Sequence, residues 1–156
     1  MITPASAQIA DVLVVGSGPA ALAIAAALVE RGLRLEALAL DDPAVPWPNT
    51  YGIWGPEADR AGLGHLLAHR WSDTLSWFGA EPTRHGIDYG LFDKRGLQQH
   101  WLELLAAAPV VWHRGRAVAI EHRQAHSVVT TTGGDHLAAR LVVDAVSYTH
   151  LRAHET

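Results

Sequence analysis

A chain of 156 residues, 49% of them hydrophobic, carries enough apolar material for one modest domain. Its formal charge of −4 and pI near 6.2 leave no basic footprint, so nucleic acid is not expected as a partner. There is no cysteine, which excludes disulfides and thiolate metal sites and is compatible with a reducing compartment.

Residues 1–10 (MITPASAQIA) have neither the basic start nor the apolar centre of a signal peptide and are expected to be flexible. The stretch that follows, DVLVVGSGPAALAIAAAL at 11–28, carries the strongest signal in the chain. A buried strand over 11–16 runs into Gly16-x-Gly18-x-x-Ala21 and then a helix over 19–31. Gly16 permits a tight strand-to-helix turn, Gly18 lets the backbone approach a diphosphate, and Ala21 is small enough for the helix to pack on the strand. The helix N-terminus, with its free N–H groups and positive dipole end, faces the phosphates. Gly16, Ser17, Gly18, Pro19, Ala20 and Ala21 are therefore the expected dinucleotide-binding turn. On length alone 12–29 would span a membrane, but the Gly-Ser-Gly-Pro break favours strand, turn and helix.

Gly32 reads as a helix stop, and a second strand is expected over 33–40. The acid that usually ends such a strand and holds the adenosine ribose falls at Ala39; Asp41 and Asp42 lie slightly beyond. Four prolines and two tryptophans in DDPAVPWPNTYGIWGPE predict an ordered loop without regular structure. The pattern then predicts a helix over 57–69, a strand over 71–78 and a helix over 97–108, with Leu97, Trp101, Leu104 and Leu105 on one face. Short strands over 110–113, 117–122 and 127–132, a Gly133-Gly134 hairpin turn, and strands over 136–138 and 140–145 complete the chain. A βαβ unit followed by a β-meander and a final apolar strand is the layout of a Rossmann-type FAD domain. The expected fold class is α/β, the N-terminal part of such a domain over 11–145.

Five stretches, DVLVVGSGPAALAIAAAL, PWPNTYGIWGPE, HLLAHRWSDTLSWFG, DYGLFDKRGLQQHWLE and ARLVVDA, occur in this order and spacing. With them the chain resembles the N-terminal part of a lycopene cyclase of the plant and cyanobacterial type. The middle three carry the resemblance; the first and last are shared by many flavoproteins, including FAD-dependent monooxygenases and isoprenoid reductases, which are the alternative reading. The resemblance implies an isomerase of carotenoid biosynthesis. It would close the ends of lycopene into β or ε rings by protonation and carbocation closure, without net redox change. It further implies reduced FAD as cofactor, NAD(P)H as reductant, a carotenoid substrate, and a cytoplasmic protein in peripheral membrane contact. After Ala145 the chain reads VSYTHLRAHET, which resembles a translated sequencing adapter. Residues 146–156 are accordingly expected to be a non-native tail on a truncated reading frame. The catalytic acid is then expected in the missing C-terminal part.

Within the chain, Lys94 and Arg95 stand either where related flavoproteins place a basic residue near cofactor phosphates or at a solvated helix start. Asp144 is expected to cap the last strand beside the cofactor. Trp47, Asn49, Tyr51 and Trp54 either line the flavin or polyene side, where aromatic rings stabilise a cation, or anchor their loop in a core. Asp73, Asp88 and Asp93 form no argued carboxylate pair. His65 and His69 have the spacing of helical zinc ligands, but no third ligand joins them, so no metal is expected. His122, His126 and His136 fall at turns of the meander, and His150 and His154 in the tail.

Overall fold

The computed structural model describes residues 9–146. In chain order the elements are β1 (Ala10–Val15), α1 (Pro19–Val29), β2 (Leu35–Ala39), β3 (Gly52–Trp54), α2 (Gly55–Arg60), a single 3-10 turn (Gly64–Leu66), β4 (Leu67–Trp71), β5 (Leu75–Trp77), β6 (Pro82–Arg84), β7 (Tyr89–Phe92), α3 (Lys94–Ala106), β8 (Val111–Arg114), β9 (Ala117–His122), β10 (Ser127–Thr131) and β11 (His136–Asp144). The chain divides into two compact units, residues 46–100 forming one and the flanking segments the other.

The flanking unit is a six-stranded sheet in the order β8-β2-β1-β11-β10-β9. β8, β2, β1 and β11 run parallel; β11, β10 and β9 form the antiparallel meander. Both faces of β1 and β2 are covered, which is why ADVLVV and LEALA read as nearly continuous apolar runs rather than alternating ones. Leu13, Val15, Leu38, Val129, Leu137 and Ala139 share one cluster, with Val142 and Val146 packed against it. The two strands expected over 136–138 and 140–145 are one. Ala139, fully buried, pairs with Ser127 of β10 on one side and Ala10 of β1 on the other, so β11 changes partner without breaking.

α1 buries Ala21, Leu22, Ala25 and Ala26. It ends where Gly32 adopts φ +75°, with Leu33 N–H donating to Leu28 O and Gly32 N–H to Val29 O. This is the paired closure that a left-handed glycine makes possible. Among the described residues no helix is long and apolar enough to cross a membrane.

In the 46–100 unit, β3, β7 and β4 form a three-stranded antiparallel sheet in that order, and β5 and β6 a separate hairpin. Here the sequence reading is corrected at four places. The proline-rich loop yields a strand, Gly52–Trp54, and α2 starts inside it because Pro56 sits in the first turn, where its missing N–H costs nothing. The helix expected over 57–69 ends at Arg60: Gly62 (φ +72°) closes it as Gly32 closes α1, with Leu63 N–H on Ala58 O. The strand expected over 71–78 is two, β4 and β5, separated at 72–74. The helix expected over 97–108 starts three residues earlier, at Lys94, because the Asp93 carboxylate accepts the Arg95 N–H at 3.1 Å and caps it. β6 and β7 are too short for periodicity to reveal.

Candidate functional site

The glycine turn is the best-defined candidate. It follows β1, at the carboxyl edge of the parallel strands and at the position where the sheet order reverses, which is where open α/β sheets bind ligands. Gly16 has φ +122°, and its N–H donates to Leu38 O at 2.8 Å. A Cβ there would lie 3.2 Å from Ala145 O and 3.6 Å from Ala21 Cβ. Gly16 is thus wedged between the end of β11 and the first turn of α1. Gly18, the residue before the helix, has extended backbone, and a Cβ on it would meet nothing within 4 Å. Its open side is where a ligand's phosphates can approach the main chain. With Pro19 at the helix start and no acid in the first turn, the amides of Ala20 and Ala21 lack partners inside the helix, and the positive end is not neutralised by the helix's own side chains. Ala21 is fully buried, so the residue standing for a third glycine packs the helix onto the sheet.

Asp144 pairs in register with Val15, and its Oδ1 accepts the Val146 N–H at 3.0 Å. Its carboxylate therefore holds the chain as β11 ends, beside the glycine turn. At the end of β2, Ala39 is buried and the acids beyond it are exposed; Asp42 Oδ1 accepts the Ala44 N–H at 2.8 Å.

The aromatic-loop candidates and Lys94 belong to the 46–100 unit. Trp47 is buried and meets Tyr51 edge-to-face at 5.7 Å between ring centroids. Trp54 meets Tyr89 edge-to-face at 5.3 Å and His85 at 5.6 Å. These contacts anchor the loop through ring quadrupoles and burial. Asn49 is exposed. Lys94, in the first turn of α3, reaches the Pro48 carbonyl at 3.4 Å and so ties this loop to the helix start.

Sequence spacing gave no signal for an ion-pair group in the same unit. Arg70 on β4 makes a two-pronged contact with Asp59 of α2 (2.9 and 2.6 Å) and also bonds Asp88 through Nε. The Arg70 guanidinium, chiefly by hydrogen bonding, holds the carboxyls of Asp59 and Asp88 below the usual range, and its own proton is held more tightly in turn. A Cβ at Gly55 would meet the Asp88 carboxylate, so a side chain there would have to push that end of the ion-pair group aside. Likewise unforeseen, Glu36 of β2 meets His113 of β8 at 2.8 Å, two half-buried groups brought together by parallel pairing.

His65 and His69 are not on one helix: the first lies in the 3-10 turn and the second on β4. Their rings face His100 and Trp71, respectively. His122 bonds Ser127 and His136 bonds Thr130, within the meander. Asp73 is exposed at the β4–β5 turn, and His150 and His154 lie outside the described residues.

The model of the family described as lycopene cyclase protein matches residues 11–156. The chain belongs to the lycopene cyclase family. It is similar to lycopene beta cyclase of Synechococcus elongatus, with 54% identity over 138 residues, covering 88% of this chain and 34% of the relative. It is also similar to the chloroplastic lycopene beta cyclase of Nicotiana tabacum, with 29% identity over 95% of this chain and 30% of that one. The chain thus spans about a third of the length of the curated relatives it matches. Among solved structures, a halogenase PltM variant in complex with FAD superposes with a TM-score of 0.66 at 13% identity, over 90% of this chain and 34% of that one. That likeness shows a shared fold: the Rossmann-type α/β architecture of flavoproteins.

Proposed function

We propose that this chain is the FAD-holding part of an enzyme that cyclises the ends of a linear carotenoid such as lycopene. The observation that carries the reading is the glycine turn of a lycopene cyclase-family chain: a backbone cradle open at Gly18 and closed to side chains at Gly16. In that role the free amides at the start of α1 hold the diphosphate, and Gly16, Ser17, Gly18, Pro19, Ala20 and Ala21 form the cradle. Asp144 positions the end of β11 against it, and Lys94 is a candidate cation for the phosphates. When bound, reduced FAD, replenished by NAD(P)H, supplies an electron-rich ring system able to stabilise positive charge or relay a proton.

The aromatic loop has the chemistry for the substrate side. Trp47, Tyr51 and Trp54 are rings of the type that packs along a polyene and stabilises a tertiary carbocation, with Asn49 as a polar neighbour. A carotenoid dissolves in lipid rather than water, so the complete enzyme is expected in the cytoplasm in peripheral contact with a membrane. Ring closure transfers a proton in and a proton out, which makes the reaction an isomerisation.

The test is expression of the protein, completed to the length of its relatives, in a lycopene-accumulating bacterium. Red colonies turning orange-yellow, with cyclic carotenoids in the extract, support the reading. An unchanged pigment profile from a folded, FAD-bound protein overturns it.

A further inference from the structure

β5 and β6 form a two-stranded ribbon that pairs with no third strand among the described residues. Its two faces differ. Ser76 lies on the inner one: its hydroxyl meets His85 Nε2 at 2.9 Å, and the His85 ring in turn meets Trp54 of the aromatic loop. The His85 N–H donates to Thr74 O at 3.1 Å and closes the open end of the ribbon. Leu75 and Trp77 lie on the opposite face, in register with Arg84 and Pro82.

That outer face and the bend beyond it are apolar and uncovered. Leu75 is exposed, Trp77 is 63% exposed, and Phe78, at the bend, is 93% exposed. Single exposed apolar residues are ordinary, but adjacent aromatic rings at the tip of a ribbon mark a contact surface. The size of the tip says what kind. Its two rings present about 300 Å² between them, whereas a stable protein interface takes about 800 Å² from each partner. A lipid layer needs no such area, because it yields around a small convex tip and takes aromatic rings at headgroup level. Segment 73–85 holds the exposed acids Asp73 and Glu81 against the exposed Arg84, so it offers no cationic patch for anionic headgroups.

We propose that the tip of this ribbon enters the interfacial layer of a zwitterionic bilayer, with Trp77 and Phe78 leading. Through Ser76 and His85 the inner face then carries Trp54 and its loop on the side away from the lipid contact, one ring behind the surface from which an apolar substrate arrives. The choice of lipid as the partner rests on the carotenoid reading above.

Co-flotation of the protein, completed to the length of its relatives, with carotenoid-free phosphatidylcholine vesicles tests it. The wild type is expected to float with the vesicles, and replacing part of the lipid with anionic phosphatidylglycerol should not raise the bound fraction. Trp77→Ser combined with Phe78→Ser should lower vesicle partitioning about tenfold or more, with FAD content and Tm unchanged. Phe78→Trp alone should retain binding. A double variant that floats as well as the wild type overturns the inference. So does a double variant that melts well below the wild type, because the rings are then covered by the rest of the protein. A protein that floats through this ribbon yet leaves lycopene unchanged in the colony assay overturns the carotenoid reading and leaves the membrane contact standing.

Discussion

Alanine at Gly16 and alanine at Gly18 are expected to damage the protein in opposite ways. At Gly16 the new methyl meets two costs. The backbone must hold φ +122°, where a side chain is strained by about 1–3 kcal/mol. The methyl also presses on the Ala145 carbonyl, 3.2 Å from the oxygen and 3.3 Å from the carbon. That peptide cannot easily retreat, because the Ala145 N–H is bonded to Val15 O at 2.9 Å; crowding of this kind costs about 1–3 kcal/mol. Together they remove about 2–6 kcal/mol from a stability that is typically about 5–15. For a chain of this length the Tm should drop by about 10 °C. At Gly18 the backbone is extended and the methyl enters open space, so stability falls by about 1 kcal/mol or less. The same methyl occupies the approach to the main-chain amides, so affinity for FAD should fall about tenfold or more. Thermal melts by circular dichroism and FAD titration by flavin fluorescence check both arms. If Gly16→Ala melts within about 2 °C of wild type, or if both variants melt equally low, the account of this turn is wrong.

Leu13 is 1% exposed, and Leu13→Ala should cost about 2–5 kcal/mol in urea denaturation, whereas Ile120→Ala on edge strand β9, 40% exposed, should stay within about 0.5. Asp93→Ala removes the cap of α3 and should cost about 1 kcal/mol in the same assay, while Asp93→Ser should recover most of it. Asp59 and Asp88 have depressed folded-state pKa values, so the stability they draw from Arg70 is present above the unfolded value near 3.8 and lost as pH falls through the lower folded ones. The gap between wild-type and Arg70→Ala urea midpoints should therefore hold steady from neutral pH down to mildly acidic pH. It should close under strong acid, and a gap that widens on acidification would contradict this assignment. In the completed enzyme, Trp54→Ala should reduce cyclisation more than FAD content; equal loss of both would mean the ring only packs the loop.

The 11–31 segment was legible because its signals are local. An apolar run long enough for a buried strand, glycines where φ must be positive or a ligand must come close, and Gly32 as a stop all act through neighbouring residues. Gly62 carries the same signal as Gly32, but a leucine pattern continuing past it outweighed the glycine. The β4–β7 region resisted reading because three- and four-residue strands have no periodicity and take their structure from their partners.

The amino-acid order by itself determined the glycine turn between β1 and α1, the α/β class and the family, since each rests on local backbone requirements or on ordered motifs. Only the tertiary structure decided that Ala139 joins two expected strands into one and that Arg70 gathers Asp59 and Asp88. Those pairings link residues far apart in the chain, and their register is set by which faces are buried, a property that no stretch of sequence holds alone.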